Sequence, residues 1–364
     1  MVKGIKDIGD IRGKKILLRV DFDVPVSKDG VIEEVFRIKR QKPMIDYLVA
    51  RGAITIMVAH ISDKNVKSFN DLIPQLREIL GHEVRYFNTS SDLGGFEKLR
   101  PGFIGIMRNI RDYEEEVRDS EEFAKKLTEG FDFYINNAFA VCHRKHASVS
   151  AVTKFLPAYA GLLVTEEVAK LQEAVNAPKQ GKIVIMGGAK SATKISVIKN
   201  FLNKADKILL GGVIVNDILK ERGEYIGDSV ADENSAELLA GLDLSTPELV
   251  IPNDFAKLND KILDIGPKSI DRYIDLIRGA KMVIWNGPLG LFEDDRFALG
   301  TNSIAEAVSA LKVPTILGGG DTIAAISKLG LLDKFSFVST GGGAMLEFLA
   351  GNKLPGLEAL GYYK

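Results

Sequence analysis

Short apolar runs alternate with longer stretches of helical spacing along almost the whole chain. Short runs rich in Ile and Val are typical of buried strands. The strands predicted on this basis are Ile16–Val20, Ile54–Ala59, Phe103–Met107, Phe133–Ile135, Lys182–Met186, Lys207–Leu210, Leu249–Ile251, Met282–Trp285, Thr315–Leu317 and Phe335–Val338. Because strands and helices alternate, the pattern predicts an α/β fold in which helices cover parallel sheets.

A long helical pattern between Pro157 and Pro178 divides the chain into two halves. A chain of 364 residues is long enough for two domains, so we interpret this helix as the connector between them. An ordinary surface helix would show the same pattern.

Charged and amide side chains follow the strands of the first half. In open parallel sheets, ligands bind beyond the carboxyl ends of the strands. The residues found there are Asp21, Asp23, Arg37, His60, Arg108, Asn109, Arg111, Asn136, Asn137, His143, Arg144 and His146. Since arginine binds carboxylate and phosphate groups through two parallel hydrogen bonds, this set favours a small acidic substrate.

Glycine follows the strands of the second half. The turns concerned are Gly187–Gly188, Gly211–Gly212, Gly287, Gly318–Gly320 and Gly341–Gly343. Glycine turns before helices offer backbone N–H groups to phosphates. Neither the P-loop motif nor the dinucleotide fingerprint is present in the sequence, yet the repetition of these turns predicts a polyphosphate site.

Two lysines and one aspartate add charge to this second half. Lys190 and Lys194 lie four positions apart in a predicted helix and would share one of its faces. Asp321 follows the Gly318–Gly320 turn, where a single carboxylate suits Mg²⁺ held mainly by phosphates and water.

Composition narrows the classes of partner. The net charge of −1 gives no global electrostatic reason to expect nucleic acid or a membrane surface. No apolar run approaches the roughly 20 residues that span a bilayer. Cys142 is the single cysteine, which favours the cytoplasm. Cys142, His143 and His146 lie too close together to enclose a zinc ion, so we expect no metal there.

Seven motifs, in order, give the chain a resemblance to the phosphoglycerate kinase family. They are RVDFDVP (19–25), HRKHAS (143–148), GGAKSATKI (187–195), DIGPKSI (264–270), WNGPLGLFE (285–293), GGGDT (318–322) and STGGGAMLE (339–347). The resemblance implies two Rossmann-like lobes of parallel sheet joined by a hinge helix. The implied division is a substrate lobe over 1–157, the hinge over 158–178, a nucleotide lobe over 179–345 and a tail over 346–364 that returns to the first lobe.

The resemblance also implies a reaction: MgATP-dependent phosphoryl transfer to the carboxylate of 3-phosphoglycerate, by a cytoplasmic monomer. The residues it assigns to catalysis are Arg37, Lys194, Gly320 and Gly343. Those it assigns to the substrate are Asp21, Asp23, Arg37, His60, Arg111 and Arg144. Those it assigns to ATP or ADP are Lys190, Lys194, Gly211, Gly212, Asn286, Glu293, Gly319, Gly320, Asp321 and Thr322, with Asn286 and Glu293 at the ribose and Asp321 on Mg²⁺.

The first half departs from the family pattern. The family usually has HLGRP where this chain has His60-Ile61-Ser62-Asp63-Lys64, so Asp63 replaces an arginine that contacts the substrate phosphate. Losing such a charged hydrogen bond costs roughly 1.5–3 kcal/mol. Asp23 stands in place of Asn, Arg108 in place of Glu and Asn137 in place of Asp.

These departures leave two alternatives open. One is a diverged paralogue that phosphorylates another small carboxylate. The other is a nucleotide-binding regulatory protein without turnover.

Overall fold

The computed structural model describes residues 3–89 and 98–363. The chain forms two compact units. The first unit consists of Met1–Val168 with Lys353–Lys364, and the second unit consists of Ala169–Asn352.

The strands of the described residues are mostly short and buried. They are β1 (Lys15–Arg19), β2 (Ile54–Val58), β3 (Arg85–Phe87), β4 (Ile104–Met107), β5 (Phe133–Asn136), β6 (Ala158–Ala160), β7 (Lys182–Met186), β8 (Lys207–Leu210), β9 (Leu249–Val250), β10 (Phe255–Leu258), β11 (Lys261–Ile265), β12 (Met282–Asn286), β13 (Thr315–Gly318) and β14 (Phe337–Val338).

Helices follow most of these strands. They are α1 (Phe36–Ala50), α2 (Phe69–Leu80), α3 (Glu114–Val117), α4 (Glu121–Thr128), α5 (Leu162–Asn176), α6 (Ala192–Phe201), α7 (Val213–Glu221), α8 (Ser235–Leu239), α9 (Pro267–Arg278), α10 (Leu299–Ser309), α11 (Gly320–Lys328), α12 (Gly343–Leu349) and α13 (Pro355–Ala359).

The first unit is built on a six-stranded parallel sheet in the order β3-β4-β2-β1-β5-β6. Neighbouring residues of β1 enter different cores, because side chains alternate across a strand: Leu18 joins one and Leu17 the other. The sheet is therefore buried on both faces, which explains the continuous apolar runs in its strands.

The second unit has its own six-stranded parallel sheet in the order β14-β13-β12-β7-β8-β9. Met186, at the end of β7, pairs with Asn286 of β12 and with Leu210 of β8. The turns after these three strands therefore begin at the same edge of the sheet.

A separate antiparallel hairpin, β10–β11, completes the second unit. Its turn residues Asn259 and Asp260 both have positive φ, 46° and 60°. Such a two-residue turn matches the twist of the strands it joins.

The C-terminal segment packs into the first unit. Leu354 and Leu357 are fully buried, and the Gly356 N–H donates to the Cys142 carbonyl at 2.8 Å. Within the described residues, no helix combines the length and apolarity needed to cross a bilayer.

The α/β class and the two parallel sheets are confirmed, while three details of the prediction are wrong. The helical pattern after Pro157 begins with β6, and α5 starts only at Leu162. The strand expected over Phe335–Val338 is limited to Phe337–Val338, because a 3₁₀ turn precedes it. The strand β3 and the hairpin β10–β11 carried no recognised signal.

Candidate active site

A cleft of about 240 Å³ lies beyond the carboxyl ends of β7, β8 and β12 in the second unit. Its lining is largely apolar and includes Val213, Val230, Phe255, Leu289 and Phe292. Clefts with apolar walls and a few polar groups suit small organic ligands.

The glycines at the base of the cleft allow three strand ends to pack backbone against backbone. A Cβ on Gly187 would lie 2.1 Å from the Pro288 oxygen, and one on Gly212 would lie 2.5 Å from the Gly188 nitrogen. Gly212 also has a φ of +62°, a left-handed conformation that favours glycine. A side chain at these positions would push the strand ends apart.

The N–H groups of these double-glycine turns are already used within the protein. Gly188 donates to the Pro288 carbonyl at 2.6 Å, and Gly212 donates to the Leu289 carbonyl at 3.0 Å. The expectation that these N–H groups face phosphates is therefore wrong for Gly188 and Gly212. Gly211 and Gly212 do line the cleft.

The start of α11 brings one carboxylate to the cleft. Gly319 has a φ of +97°, Gly320 begins the helix, and Asp321 in its first turn lines the cleft. The Thr322 hydroxyl is fully buried and accepts the Gly287 N–H at 2.7 Å. Thr322 therefore joins α11 to the end of β12, and its buried hydroxyl is used within the protein.

Lys194 is a buried cation in the first turn of α6, only 6% exposed. Its Nζ donates to the Lys190 carbonyl at 3.5 Å. Burial lowers the pKa of Lys194 to about 8; Asp321 opposes the shift and Lys190 adds to it. Lys190 itself precedes α6, which begins at Ala192, so the two lysines do not share a helix face as predicted.

Asn286 lies beside the α11 turn and is 3% exposed. Its Nδ2 has no hydrogen-bond partner among the described residues, and a Cβ on Gly319 would lie 3.1 Å from that atom. Asn286 is not among the described residues that line the cleft, so this structure gives no support for the ribose contact expected of it. Glu293 is exposed and lines the cleft.

Gly343 begins α12, after Gly342 with a φ of +48°. The turn is tied by the Gly341 N–H, which donates to the Ser339 hydroxyl at 3.0 Å. Like Gly320, Gly343 stands at a helix start, where first-turn N–H groups lack partners within the helix.

A magnesium ion fits the donor set only if phosphates supply most of its ligands. No group of three or more His, Cys, Asp or Glu side chains that could hold a metal occurs within residues 3–89 and 98–363. One carboxylate, Asp321, together with phosphate oxygens and water is the usual arrangement for Mg²⁺ on a nucleotide.

A second polar cluster follows β1 in the first unit. Asp21 is 1% exposed, and its Oδ2 lies 3.7 Å from Nη1 of Arg37. The same Nη1 donates to the Asp23 carbonyl at 3.0 Å. Arg37 is thereby held in the first turn of α1, half-buried beside an ionisable carboxyl group.

His60 has a defined proton position. Its Nδ1 lies 3.2 Å from Nη2 of Arg19, and because a guanidinium only donates, Nδ1 must accept. The ring proton is therefore on Nε2, which lies 3.2 Å from Oδ2 of Asp23. Burial lowers the pKa of His60, so the neutral ring is favoured.

The carboxylate of Asp23 is also occupied by the protein. Its Oδ1 accepts the Ser62 N–H at 2.7 Å, and its Oδ2 faces His60. Burial alone would raise the pKa of Asp23, but the hydrogen bonds from His60 and Ser62 and the charge of Arg37 hold it well below its usual range. Asp23 therefore supports the site, and the direct substrate contact expected of it does not fit.

Positive charge collects around Arg111. Its Nε and Nη2 are buried and have no hydrogen-bond partner among the described residues. Burial, with the charges of Arg144 and Arg19, lowers the pKa of Arg111 to about 10. Burial and the charges of Arg111, Arg144 and Arg19 lower the pKa of His146 to about 4. Arg144 itself is exposed. Such a cluster favours an anionic ligand.

Sequence reasoning missed the buried network behind this cluster. Arg19 is 1% exposed, and its Nε donates to the Ser148 hydroxyl at 3.0 Å. Ser148 in turn donates to Glu116 through its N–H at 2.7 Å and its hydroxyl at 2.6 Å. An arginine inside the apolar strand Ile16–Val20 was the available signal.

Asp63 is tied into its own loop. Its Oδ2 accepts the Val26 N–H at 3.0 Å, and its Oδ1 accepts the Asn65 N–H at 2.8 Å. These hydrogen bonds lower the pKa of Asp63. Its carboxylate is therefore a cap for the loop, and the neighbouring Lys64 is exposed.

Comparison with known proteins assigns the family. The family model described as "Phosphoglycerate kinase" matches residues 5–352. The chain is 40% identical over 390 residues to a phosphoglycerate kinase from Prochlorococcus marinus, covering 97% of each chain. It is 40% identical over 387 residues to that of Dictyoglomus turgidum, covering 96% of each.

Solved structures support the same family assignment. The phosphoglycerate kinase of Coxiella burnetii superposes with a TM-score of 0.85 at 31% identity and covers 100% of both chains. That of Pyrococcus horikoshii gives a TM-score of 0.87 at 29% identity and covers 99% of this chain and 98% of its own.

Fold, sites and relatives together define an α/β phosphotransferase whose acceptor is a carboxyl group. The chain belongs to the phosphoglycerate kinase family.

Proposed function

We propose that this chain catalyses phosphoryl transfer between ATP and 3-phosphoglycerate, forming 1,3-bisphosphoglycerate and ADP in glycolysis and its reversal. The observation that carries the proposal is Lys194, a buried ammonium group near Asp321 and beside Gly188, both of which line the apolar cleft. A desolvated cation in this position is suited to the charge that develops on a transferring phosphoryl group.

In the second unit, the nucleotide base would lie on Gly211 and Gly212, within the apolar walls of the cleft. Its phosphates would meet Lys190, Lys194 and the start of α11. Mg²⁺ would bind Asp321 and neutralise phosphate oxygens. Glu293, exposed at the cleft, suits a ribose hydroxyl.

In the first unit, Arg37 and His60 would hold the carboxylate and hydroxyl end of 3-phosphoglycerate. The neutral His60 would do so as part of the Arg19–His60–Asp23 chain. Arg111 and Arg144 would take the phosphate, since Arg111 has two N–H-bearing nitrogens without protein partners. Asp21 would orient Arg37.

Transfer requires the two bound substrates to meet in a site without water, which would otherwise hydrolyse the acyl phosphate. We therefore propose a hinge at α5, with a substrate lobe, a nucleotide lobe and a returning tail as functional divisions. We also propose that the protein is cytoplasmic and monomeric. Light scattering of the purified chain would test the monomeric state.

One observation favours a second candidate, a paralogue that phosphorylates a different small carboxylate. The loop after β2 offers Asp63 and Lys64 where the family usually has an arginine, and Asp63 is bound to the loop backbone. The phosphate end of the substrate is therefore the least constrained part of the proposal.

A coupled kinase assay with MgATP and 3-phosphoglycerate tests both candidates. Turnover that saturates with each substrate, and that is lost in Lys194→Ala, supports the first. If the protein binds ATP by calorimetry yet fails to phosphorylate 3-phosphoglycerate at any concentration, the first candidate fails. A panel of small carboxylates without a phosphate would then test the second.

A further inference from the structure

We propose that Ser62 is a positioning residue for Arg111, and that the pair forms the phosphate end of the substrate site in place of a loop arginine. The inference rests on the proposed function, because it concerns the phosphate of 3-phosphoglycerate. It concerns a residue at which the family pattern has a glycine, so the hydroxyl is a feature of this chain.

One hydrogen bond joins Arg111 to Ser62. Nη1 of Arg111 donates to the Ser62 hydroxyl oxygen at 3.1 Å. This is the hydrogen bond that fixes one side of the guanidinium plane. Nε and Nη2 then remain as buried donors without a partner among the described residues. Two unsatisfied donors of one guanidinium can bind two oxygens of a phosphate side by side.

The direction of the Ser62 hydroxyl proton follows from this contact. Because the Ser62 oxygen accepts from Arg111, its own proton must point elsewhere. Oδ2 of Asp23 lies 3.5 Å away, and Oδ1 of Asp23 accepts the Ser62 N–H at 2.7 Å. Asp23, held ionised by His60, thus fixes Ser62 through both its backbone and its side chain.

Asp63 stabilises the loop that contains Ser62. Asp63 accepts two backbone N–H groups, from Val26 and Asn65, and so ties the loop that contains Ser62 to Val26. The residue that replaces the family's arginine therefore stabilises the segment that presents Ser62. Asp63 and Asp23 therefore hold Ser62 in place, and Ser62 in turn holds Arg111.

Kinetics with Ser62→Ala and Ser62→Thr test the proposal. Loss of one partly exposed hydrogen bond predicts that Ser62→Ala raises KM for 3-phosphoglycerate about three- to tenfold. The turnover number should change by less than about twofold, because Ser62 does not touch the reacting carboxylate. Ser62→Thr keeps the hydroxyl and should restore most of the affinity.

A binding arm makes the test independent of turnover. The dissociation constant of inorganic phosphate, measured by calorimetry, should rise in Ser62→Ala and recover in Ser62→Thr. Glycerate, which lacks the phosphate, should bind both variants as it binds the wild type. Ser245→Ala is a matched control, since it removes another exposed serine hydroxyl bonded to an aspartate, in the second unit.

The outcomes separate the two proposals. Unchanged phosphate binding in Ser62→Ala, or equal losses in Ser62→Ala and Ser62→Thr, overturns the role of Ser62. If phosphate binding responds as expected but the wild type does not phosphorylate 3-phosphoglycerate, the role of Ser62 stands and the proposed reaction fails.

Discussion

Lys194 and Arg111 share one property: each is a buried or partly buried cation that has no carboxylate in hydrogen-bond contact among the described residues. Burial lowers the pKa of Lys194 to about 8 and that of Arg111 to about 10. An uncompensated buried charge destabilises the fold, and an anionic ligand removes that cost when it binds. Lys194 and Arg111 therefore lower the stability of the ligand-free protein in positions where they can bind an anion.

Lys194→Met should separate the two effects. The substitution nearly preserves side-chain volume and removes the buried charge, so we expect the free energy of unfolding to rise by about 1–2 kcal/mol. Turnover should fall by two orders of magnitude or more, because about 3 kcal/mol of transition-state stabilisation is lost. Chemical denaturation and the coupled assay measure the two quantities. A variant that is both less stable and fully active would contradict this account.

Asp264 is a buried carboxyl group at the nucleotide cleft, 3% exposed. Its Oδ2 accepts the Gly300 N–H at 2.7 Å. Burial raises the pKa of Asp264 to about 6, although the N–H groups of Gly300 and Ile265 oppose the shift. Between the unfolded value near 4 and about 6, the folded state binds more protons than the unfolded state.

The sign of this shift gives a pH prediction. For Asp264 alone, stability should increase as pH falls through 6 and level off below about 4. We expect the wild type to gain about 1–2 kcal/mol relative to Asp264→Asn between pH 7.5 and pH 5. Urea unfolding of both proteins at the two pH values measures the difference. A gap that does not change with pH would show that Asp264 is not the titrating group.

At the scale of elements, the turns after β7, β8 and β12 act as one unit. Gly212 N–H bonds to Leu289, and Val213 N–H bonds to Gly188 at 3.1 Å, so each turn is held by the next. The floor of the cleft is therefore held together by backbone hydrogen bonds, and side chains only line it.

Gly212→Ala tests this arrangement. A methyl group there would lie 2.5 Å from the Gly188 nitrogen, at a φ of +62°. Strain and overpacking together predict a loss of about 2–5 kcal/mol in the free energy of unfolding and weaker ATP binding.

Gly223→Ala is the control, because Gly223 has a φ of +74° but no atom of the described residues lies within 4 Å of an added Cβ. It should cost only about 1–2 kcal/mol. If both variants lost the same stability and ATP binding were intact, close backbone packing would not be the reason for Gly212.

The elements show how far the sequence could predict this structure. Strands such as Lys182–Met186 were predictable because both faces of a parallel sheet are buried, which leaves an uninterrupted apolar run. The hairpin β10–β11 was not, because it is partly exposed and its signal is confined to the Asn259–Asp260 turn.

The candidate sites show the same limit at residue level. The residue types at the strand ends indicated an acidic substrate and a polyphosphate. Which N–H groups were already bonded, as in Gly188, and where Asp63 and Asn286 point depend on tertiary packing. No local pattern records those contacts.

At the scale of the whole molecule, the first unit depends on residues from both ends of the chain. Leu354 and Leu357 of the C-terminal segment are fully buried in it, and Gly356 packs against Cys142. Cys142 is buried, and burial raises its pKa to about 12.

Leu357→Ala should loosen this segment. Truncation of a fully buried leucine predicts a loss of about 2–5 kcal/mol in the free energy of unfolding. Since Cys142 is the chain's single thiol, its rate of reaction with a thiol reagent reports the opening directly, and it should rise in the variant. Leu299→Ala, at a leucine 58% exposed, should change neither quantity. Equal thiol rates in wild type and Leu357→Ala would mean that the segment does not guard Cys142.

The return of the C-terminal segment also has a consequence for synthesis on the ribosome. The second unit is continuous in the chain, from Ala169 to Asn352, so none of its contacts depends on residues synthesised after it. The first unit, although most of it is made first, lacks Leu354 and Leu357 until the whole of the second unit has been translated. The half of the enzyme that emerges earliest is therefore the half that is completed last.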